Sequence, residues 1–259
     1  MPSSWTAENR IPRFPLTEIV NLAYHLWLSM VNLRAPNLLV SVLVRITLAF
    51  VVLIAIVFAT AGRWDLPMFW AYLGVFYGIG LIGLLVVARR APTLLRERYG
   101  PGPGGKDRLT RKAALVLSGA FLVLAGLDAG RFQWSGSVPI SVQIAGLVGV
   151  AAGLGGWMWA MCVNRFFSSE VRIQRDRGHT VVTTGPYQFV RHPGYLSALV
   201  LFLASPLALG SCVSALPILV LVGVFLRRVW IEDQLLREEL EGYLDYAQRV
   251  RYRLVPGVW

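Results

Sequence analysis

The feature that most constrains this chain is a set of six apolar stretches that carry almost no charge. They span residues 37–60, 66–88, 113–130, 138–163, 195–209 and 212–226. The first four are long enough to cross about 30 Å of hydrocarbon as helices, at about 1.5 Å per residue. Charged residues make up only 15% of the chain, whereas soluble domains carry about a quarter. The sequence therefore predicts an all-α, polytopic transmembrane bundle of about six spans.

The last two stretches are short, and the segment that joins them, PLALGSCVSALP, is rich in helix-breaking residues. Pro206, Gly210 and Pro217 in this segment predict a tight helical hairpin. An incomplete span remains an alternative, because each stretch is near the lower length limit for crossing a bilayer.

The distribution of positive charge predicts the orientation of the bundle. All but three of the 25 Lys and Arg residues lie on the side of the membrane that holds the N-terminus. Arg63 and Arg131 lie on the other side, and Arg45 lies within the first span. By the positive-inside rule, both termini and the basic loop 89–112 face the cytoplasm. The net charge of +11 then meets anionic lipid and cytosol, so a nucleic-acid partner is not expected.

The chain divides into three parts. Residues 1–36 form a cytoplasmic N-terminal segment, in which apolar residues of 14–34 recur at helical spacing and predict an interfacial helix. Residues 37–163 hold the first four spans, and residues 164–259 hold the last two spans and a cytoplasmic C-terminal helix. No cleavable signal sequence is expected, because the N-terminus lacks a charged segment followed directly by a short apolar core.

Several motifs resemble known sites but lack what the chemistry needs. The segment GPGPGGKD at 100–107 has phosphate-loop spacing, but Asp107 replaces the Ser or Thr that would hold magnesium. The two cysteines, Cys162 and Cys212, are too few for a thiolate metal site, and no metal is expected. Gly149 and Gly153 have the spacing that permits close helix contact and carries no catalytic meaning.

Two ionisable residues, Arg45 and Asp128, lie within predicted spans. A charge inside the membrane raises the hypothesis of a functional role. Arg45 is close enough to the cytoplasmic end of its span to reach the surface, and Asp128 lies near the outer end beside Arg131. The sequence leaves the role of both residues open.

The stretch GPYQFVRHPGY at 185–195 places polar side chains directly before an apolar helix. Pro193 lacks an N–H and has a fixed φ, which suits the first position of a helix. Arg191 and His192 are therefore expected at a helix N-terminus, whose free N–H groups attract anions. Two interpretations remain open here, a cap with a lipid-phosphate anchor or a site for an anionic group of a ligand.

A second polar cluster follows the hairpin, in the stretch FLRRVWIEDQLLREELEGYLDYAQRV. Because the last two spans are expected to be antiparallel neighbours, Arg227, Arg228 and Glu232 return to the face that holds Arg191 and His192. Glu232 follows the two arginines by about one helical turn. The convergence favours a membrane-surface site for a zwitterionic small molecule, with cations for its carboxylate and Glu232 for its ammonium.

The pairing of GPYQFVRHPGY with the downstream pattern E-x-x-L … Y-L-x-Y-x-x-R-V resembles the isoprenylcysteine carboxyl methyltransferase family. Phospholipid N-methyltransferases and small-thiol methyltransferases share that wider membrane superfamily. The resemblance covers about residues 179–250, and the N-terminal half resembles nothing beyond its hydropathy. It implies a membrane methyltransferase that uses S-adenosylmethionine without a Rossmann domain and admits a lipophilic acceptor through a lateral opening.

The resemblance also implies roles for individual residues. Arg191, His192 and Glu232 would be the catalytic residues. The cofactor-binding residues would be Gly185, Pro186, Tyr187, Arg191, His192, Pro193, Tyr195, Arg228, Glu232, Tyr243, Tyr246 and Arg249. A carboxylate acceptor needs no base, whereas a thiol or amine acceptor could use His192 or Glu232 as one.

Two other classes of function remain as alternatives. A membrane reductase of the sterol-reductase type has a similar helical architecture and would use NADPH. A non-enzymatic transporter or lipid-binding protein is the other, although a transporter would place paired broken helices at mid-membrane, whereas the polar cluster here lies at the surface. The expected partners are the lipid bilayer and a lipophilic or small-molecule methyl acceptor, with no obligate protein partner.

Overall fold

The computed structural model describes residues 38–90 and 108–259, and every regular element in these ranges is helical. The α-helices are α1 (Leu38–Ala61), α2 (Pro67–Arg90), α3 (Arg108–Gly126), α4 (Ile140–Val163), α5 (Pro193–Ala208), α6 (Ala215–Glu239) and α7 (Tyr243–Arg249). A π-helical turn, Leu127–Phe132, continues α3, and two 3-10 turns, Arg175–Arg177 and Gly185–Gln188, lie between α4 and α5. The all-α prediction is confirmed for these ranges. The expected interfacial helix and most of the basic loop lie outside the described residues.

Four helices, α1 to α4 with the π-helical end of α3, are long and apolar enough to cross a membrane. Helix α5 is apolar but shorter. Helix α6 begins in the stretch expected as the sixth span and continues through charged residues to Glu239. A multi-pass membrane protein follows from the four long helices, while the count of six spans stays a prediction.

The chain forms two compact units. The boundary between them lies within α1, between Val52 and Leu53. Of the first unit, the structure describes only the part of α1 that precedes this bond. The second unit, Leu53–Trp259, contains the rest of α1, the other helices and every residue of the candidate site.

Helices α4 and α5 pack closely against each other, because glycines of α4 remove side chains from their interface. A Cβ at Gly153 would lie 2.7 Å from the backbone N of Leu201 and 2.8 Å from the backbone O of Ser197. A Cβ at Gly149 would lie 2.7 Å from the methyl group of Ala204. The close helix contact predicted at these two glycines is confirmed. Helix α2 packs on the same α4, whereas α3 packs on α6.

A buried aspartate at the end of α3 holds the turn between α5 and α6. Asp128 is 0% exposed, and its carboxylate accepts hydrogen bonds from the Ser211 hydroxyl at 2.6 Å and the Ser135 backbone N–H at 2.8 Å. Arg131, which neighbours it in sequence, donates instead to the carbonyl of Ala59 at 3.0 Å. These contacts give Asp128 a structural role in fixing the turn.

Candidate active site

The N-terminus of α5 is covered by the last residues of the chain. Pro193 is the first residue of the helix, as the sequence predicted. The backbone N–H groups of Arg191 and His192 donate to the carbonyl oxygens of Tyr252 and Arg253, each at 2.9 Å. The polar residues before α5 are thus held in a fixed position by a backbone pairing with residues that follow α7.

Several charged side chains near the N-terminus of α5 contact a single buried carboxylate. Asp233 on α6 is 0% exposed. Its two oxygens contact Arg191 Nε (2.9 Å), His192 Nε2 (3.3 Å), Arg237 Nε (2.9 Å), Tyr243 OH (2.8 Å) and Arg253 Nε (2.8 Å). The Asp233 cluster, defined by these six residues, therefore ties α5, α6, α7 and the C-terminal segment together.

The electrostatics of the Asp233 cluster follow from its donors. Burial alone would raise the pKa of the Asp233 carboxyl, but hydrogen bonds from His192, Arg191 and Arg253 outweigh it and hold the pKa well below its usual range. Burial and the adjacent Asp233 charge raise the pKa of the Tyr243 hydroxyl, which therefore stays protonated and donates. The carboxylate is ionised and fully paired near neutral pH.

Arg191 has little hydrogen-bonding capacity left for a ligand. Besides Asp233, its Nη1 donates to the carbonyl oxygens of Val250 at 2.9 Å and Arg251 at 2.7 Å. Its side chain is buried by these contacts, which disfavours the anchor on lipid phosphate that the sequence left open. Direct contact of Arg191 with a cofactor carboxylate stays a prediction, whereas its hydrogen bonds to Asp233, Val250 and Arg251 are observed.

Glu232 faces a different direction from Asp233 and has its own partners. The Tyr195 hydroxyl donates to Glu232 Oε2 at 2.6 Å and accepts from Arg228 Nε at 2.7 Å. Arg228 Nη2 donates to the carbonyl of Ser169 at 2.5 Å. The sequence expected these residues to converge, and the structure brings Tyr195, Arg228 and Glu232 into one hydrogen-bonded chain.

Two tyrosines close the side of the site that lies under α7. The Tyr246 hydroxyl donates to the Tyr187 carbonyl oxygen at 2.7 Å. Asn164, directly after α4, donates from Nδ2 to the Tyr187 hydroxyl at 3.1 Å. Burial raises the pKa of both tyrosine hydroxyls, so both are neutral near pH 7. Gly185 supplies the positive φ of 59° that starts the turn carrying Tyr187.

Many of these side chains line one cavity of about 280 Å³, whereas Asp233 lies behind its wall. Its wall on α6 includes Phe225, Arg228, Glu232 and Leu236, which recur at helical spacing on one face. They extend over about 16 Å of the helix axis. The lining near Phe225 is apolar, and Trp157 of α4 also lines the cavity, whereas Arg228 and Glu232 are charged. The cavity can therefore hold a hydrophobic group at one end and a polar, charged group at the other.

The structure brings most of the expected site residues to this cavity. Its lining includes Tyr187, Arg191, His192, Tyr195, Arg228, Glu232, Tyr243 and Tyr246. Gly185, Pro186 and Pro193 shape the backbone next to it without lining it. Arg249 is exposed, and its Nε contacts the carbonyl of Asp245 at 3.4 Å within α7.

Two groups of residues at the site were not predicted from the sequence. Asp233 lies directly after Glu232, and only the helical phase of α6 decides which of the two acids faces the other charges. Glu170 and Arg111 also line the cavity and form an ion pair. Nothing in the spacing of these two distant residues signals their contact. Among the described residues, no group of three His, Cys, Asp or Glu side chains could hold a metal ion.

The sequence of this region is similar to known methyltransferases. Residues 147–238 match the profile of the Isoprenylcysteine carboxyl methyltransferase (ICMT) family. Protein-S-isoprenylcysteine O-methyltransferase B of Arabidopsis thaliana is 34% identical over 88 residues, which are 33% of this chain and 45% of that protein. Protein-S-isoprenylcysteine O-methyltransferase of Schizosaccharomyces pombe is 35% identical over 86 residues, which are 32% of this chain and 36% of that protein.

A relative with a different name is also similar. The cobalt-zinc-cadmium resistance protein CzcN of Cupriavidus metallidurans is 26% identical over 133 residues, which are 49% of this chain and 56% of that protein. The matched part of the chain thus spans about half the length, or less, of these curated relatives. The matched residues contain α5, most of α6 and the cavity wall that these helices form. Most of the candidate site therefore lies in a region whose sequence is similar to the isoprenylcysteine carboxyl methyltransferase family, as the R-H-P-x-Y sequence indicated.

Proposed function

We propose that this chain is an integral membrane methyltransferase that uses S-adenosylmethionine and methylates a lipophilic or membrane-accessible small molecule. The observation that carries the proposal is the amphipathic cavity within the family-matched region, with Glu232 at its charged end and Phe225 at its apolar end. A reaction between a polar, charged cofactor and a lipid-soluble acceptor needs a cavity with two such ends.

The residues of the charged end fit the cofactor. Glu232 can accept a hydrogen bond from an ammonium group. The rings of Tyr187, Tyr243 and Tyr246 can face a sulfonium cation. Residues 180–182 line the cavity, and their backbone N–H and C=O groups make no hydrogen bond within the described residues, so these groups can pair with the edge of an adenine ring. We infer that these groups hold the cofactor, next to Gly185, Pro186, Arg191, His192, Pro193, Tyr195, Arg228 and Arg249.

The chemistry divides between cofactor and protein. S-adenosylmethionine supplies an activated methyl group on sulfur when it is bound. The chain's own residues have to align the acceptor, exclude water and receive a proton where the acceptor carries one. Arg191 and His192 are fixed by Asp233 and form a rigid wall. Glu232, which accepts from Tyr195, is the carboxylate placed to receive a proton from a thiol or amine, and a carboxylate acceptor needs none.

The orientation of the protein follows from its charges. We infer six spans, with both ends of this chain and the charged end of the cavity on the cytoplasmic side. On this orientation the polar cofactor reaches Glu232 from the cytosol. The apolar end at Phe225 then lies at the depth of the hydrocarbon, where a lipophilic acceptor is dissolved.

Substitution of Glu232 tests the cofactor site. Glu232→Gln keeps the shape of the side chain but removes the charge proposed to meet the ammonium group. S-adenosylhomocysteine affinity, measured by calorimetry on the full chain in nanodiscs, is expected to fall about 10- to 150-fold, because charge-assisted hydrogen bonds contribute about 1.5–3 kcal/mol. Transfer of labelled methyl groups to a membrane fraction should fall with it.

Glu239→Gln provides the matched control, since Glu239 is a half-exposed acid on the same helix that pairs with Arg175 outside the cavity. Its affinity for S-adenosylhomocysteine should equal that of the unsubstituted protein. An unsubstituted protein that binds NADPH and not S-adenosylhomocysteine would replace the proposal with the reductase alternative.

A further inference from the structure

Among the described residues, the acidic side chains that line the cavity are Glu170 and Glu232. They differ in how far the protein satisfies them. Glu232 Oε2 accepts a hydrogen bond from the Tyr195 hydroxyl at 2.6 Å. Glu170 Oε1 contacts Arg111 Nη1, whereas Glu170 Oε2 is buried and has no hydrogen-bond partner in the part of the chain that the structure describes. A buried carboxylate oxygen without a partner is unfavourable, so this oxygen is placed to attract a group of a bound ligand.

Four arginines also line the cavity, and each contacts an acceptor within the protein. These contacts join Arg111 to Glu170, Arg172 to Asp176, Arg191 to Asp233 and Arg228 to the Tyr195 hydroxyl. The side chain of Arg111 is 46% exposed, whereas that of Glu170 is 11% exposed. Water therefore screens the charge of Arg111 more than that of Glu170. Glu170 thus keeps negative charge that can attract a cationic ligand.

The two carboxylates are connected through Arg228. Its Nε donates to the Tyr195 hydroxyl, which donates in turn to Glu232. Its Nη2 donates to the Ser169 carbonyl at 2.5 Å, and Glu170 follows Ser169 directly in the chain. Arg228 precedes Glu232 by four residues on α6, which is about 6 Å along the helix axis. Glu170 is therefore attached to the cavity wall about one helical turn from Glu232.

The spacing of the two carboxylates suits the two positive groups of S-adenosylmethionine. Three carbon atoms separate its ammonium nitrogen from its sulfonium sulfur, a span of about 5 Å. With the ammonium group at Glu232, the sulfonium reaches the level of Arg228, whose positive charge would repel it. We propose that Glu170 supplies the counter-charge for the sulfonium, and that it thereby makes the site select the charged methyl donor over the neutral product. This inference rests on the proposed function and extends it to a further residue.

The role of Glu170 follows from the change in charge during the reaction. As the methyl carbon bonds to a lone pair of the acceptor, its bond to sulfur breaks and the electron pair of that bond stays on sulfur. S-adenosylhomocysteine is therefore neutral at this atom and is no longer attracted by Glu170. Because the attraction is stronger before the transfer than after it, it favours binding of the donor and release of the product without accelerating the chemical step. Glu170 is thus a specificity-determining residue.

The test compares two ligands that differ at the position of the sulfur atom. Sinefungin has a protonated amine there and cannot transfer a methyl group, whereas S-adenosylhomocysteine is neutral there. The affinity of each is measured by calorimetry on the full chain in phosphatidylcholine nanodiscs. The unsubstituted protein should bind sinefungin at least about 10-fold more tightly than S-adenosylhomocysteine. Glu170→Gln should bring the two affinities within about twofold of each other, with the affinity for S-adenosylhomocysteine unchanged.

Glu232→Gln separates the roles of the two carboxylates and does not depend on the folding of Glu170→Gln. It should weaken both ligands alike, because both carry the ammonium group, and should preserve the preference for sinefungin. Glu239→Gln, the matched control, should change neither affinity, since Glu239 pairs with Arg175 outside the cavity.

Three results would overturn the assignment of Glu170. Equal binding of both ligands to the unsubstituted protein would show that the site does not sense the charge. A preference for sinefungin that survives Glu170→Gln would assign the cation to the tyrosine rings of the cavity. A preference that is lost in Glu232→Gln would assign the cation to Glu232. Failure of the unsubstituted protein to bind either ligand would instead count against the proposed function.

Discussion

Two aspartates are completely buried at opposite ends of α5, and they are satisfied in different ways. Asp128 accepts hydrogen bonds from the backbone N–H and hydroxyl of Ser135 and from the hydroxyl of Ser211, and no cation donates to it in the part of the chain that the structure describes. Asp233 accepts from three arginines, a histidine and a tyrosine. The two carboxylates are thus equally buried but differently stabilised, one by neutral hydrogen-bond donors and the other mainly by charged side chains.

The difference shows what each end of the bundle does. Neutral donors suffice where a carboxylate only has to fix a turn, since hydrogen bonds alone compensate for its burial. Full charges are gathered where Arg191 and His192 are held in place next to the proposed cofactor site. Removing one partner of a buried ion pair leaves the others uncompensated and is strongly destabilising. The two aspartates should therefore respond very differently to the same substitution.

The largest effect is expected for Asp233→Asn. Neutralising the carboxylate leaves Arg191, Arg237 and Arg253 without their shared counter-charge, at a cost of about 3–5 kcal/mol. The melting temperature, followed by tryptophan fluorescence in detergent, should fall by roughly 10 °C or more. S-adenosylhomocysteine affinity should fall in the fraction that remains folded, because Arg191 and His192 lose their fixed positions.

Asp128→Asn should have a smaller effect, confined to stability. The amide retains one oxygen for the Ser211 hydroxyl, so the loss should be about 1 kcal/mol, or roughly 2–4 °C in melting temperature. S-adenosylhomocysteine affinity by calorimetry should stay within about twofold of the unsubstituted protein. Equal melting temperatures of Asp128→Asn and Asp233→Asn would contradict the proposed difference between stabilisation by neutral donors and stabilisation by charged side chains.

A third effect, far smaller than that of Asp233→Asn, concerns pH near the site. Burial, and then the charges of Arg172 and Arg177, lower the pKa of His179 to about 4. Its unfolded value is about 6.5, so the unfolded chain binds the proton first. Stability is therefore fully present above about pH 6.5 and declines as the pH falls towards 4. The Asp233 carboxyl should not contribute in this window, because its pKa lies well below it.

His179→Gln tests this assignment, since glutamine is neutral throughout and can still accept from the Gln174 N–H that His179 Nδ1 engages at 3.3 Å. The drop in melting temperature between pH 7 and pH 5 should shrink by a few degrees in this variant. An unchanged drop would assign the pH dependence to another group.

The membrane helices could be predicted from the sequence because their signal is local. Each long apolar stretch and the proline at the start of α5 fixed an element without reference to the rest of the chain. The end of α6 could not be placed in this way. Its charged half is polar in composition, and it remains helical because Arg228 and Asp233 have partners elsewhere in the fold.

The candidate site could also be predicted only in part from the sequence. Arg191, His192 and Glu232 were expected to meet because the hairpin returns α6 to the start of α5, and the structure brings them to one cavity. The choice between Glu232 and Asp233 as the partner of Arg191 was beyond the sequence, since adjacent residues on a helix differ by about 100° in direction. Partners such as Arg111 and Glu170 depend on tertiary packing alone.

The glycine contacts between α4 and α5 have a consequence for motion. Backbone lies against backbone at Gly153, so few side-chain atoms separate the two helices there and they cannot easily slide past each other. They should behave as one rigid body, with slow amide hydrogen exchange along both. Any widening of the cavity to admit a ligand then has to come from the opposite wall. That wall includes α3, which is attached to the α4–α5 connection through the charges of Arg111 and Glu170.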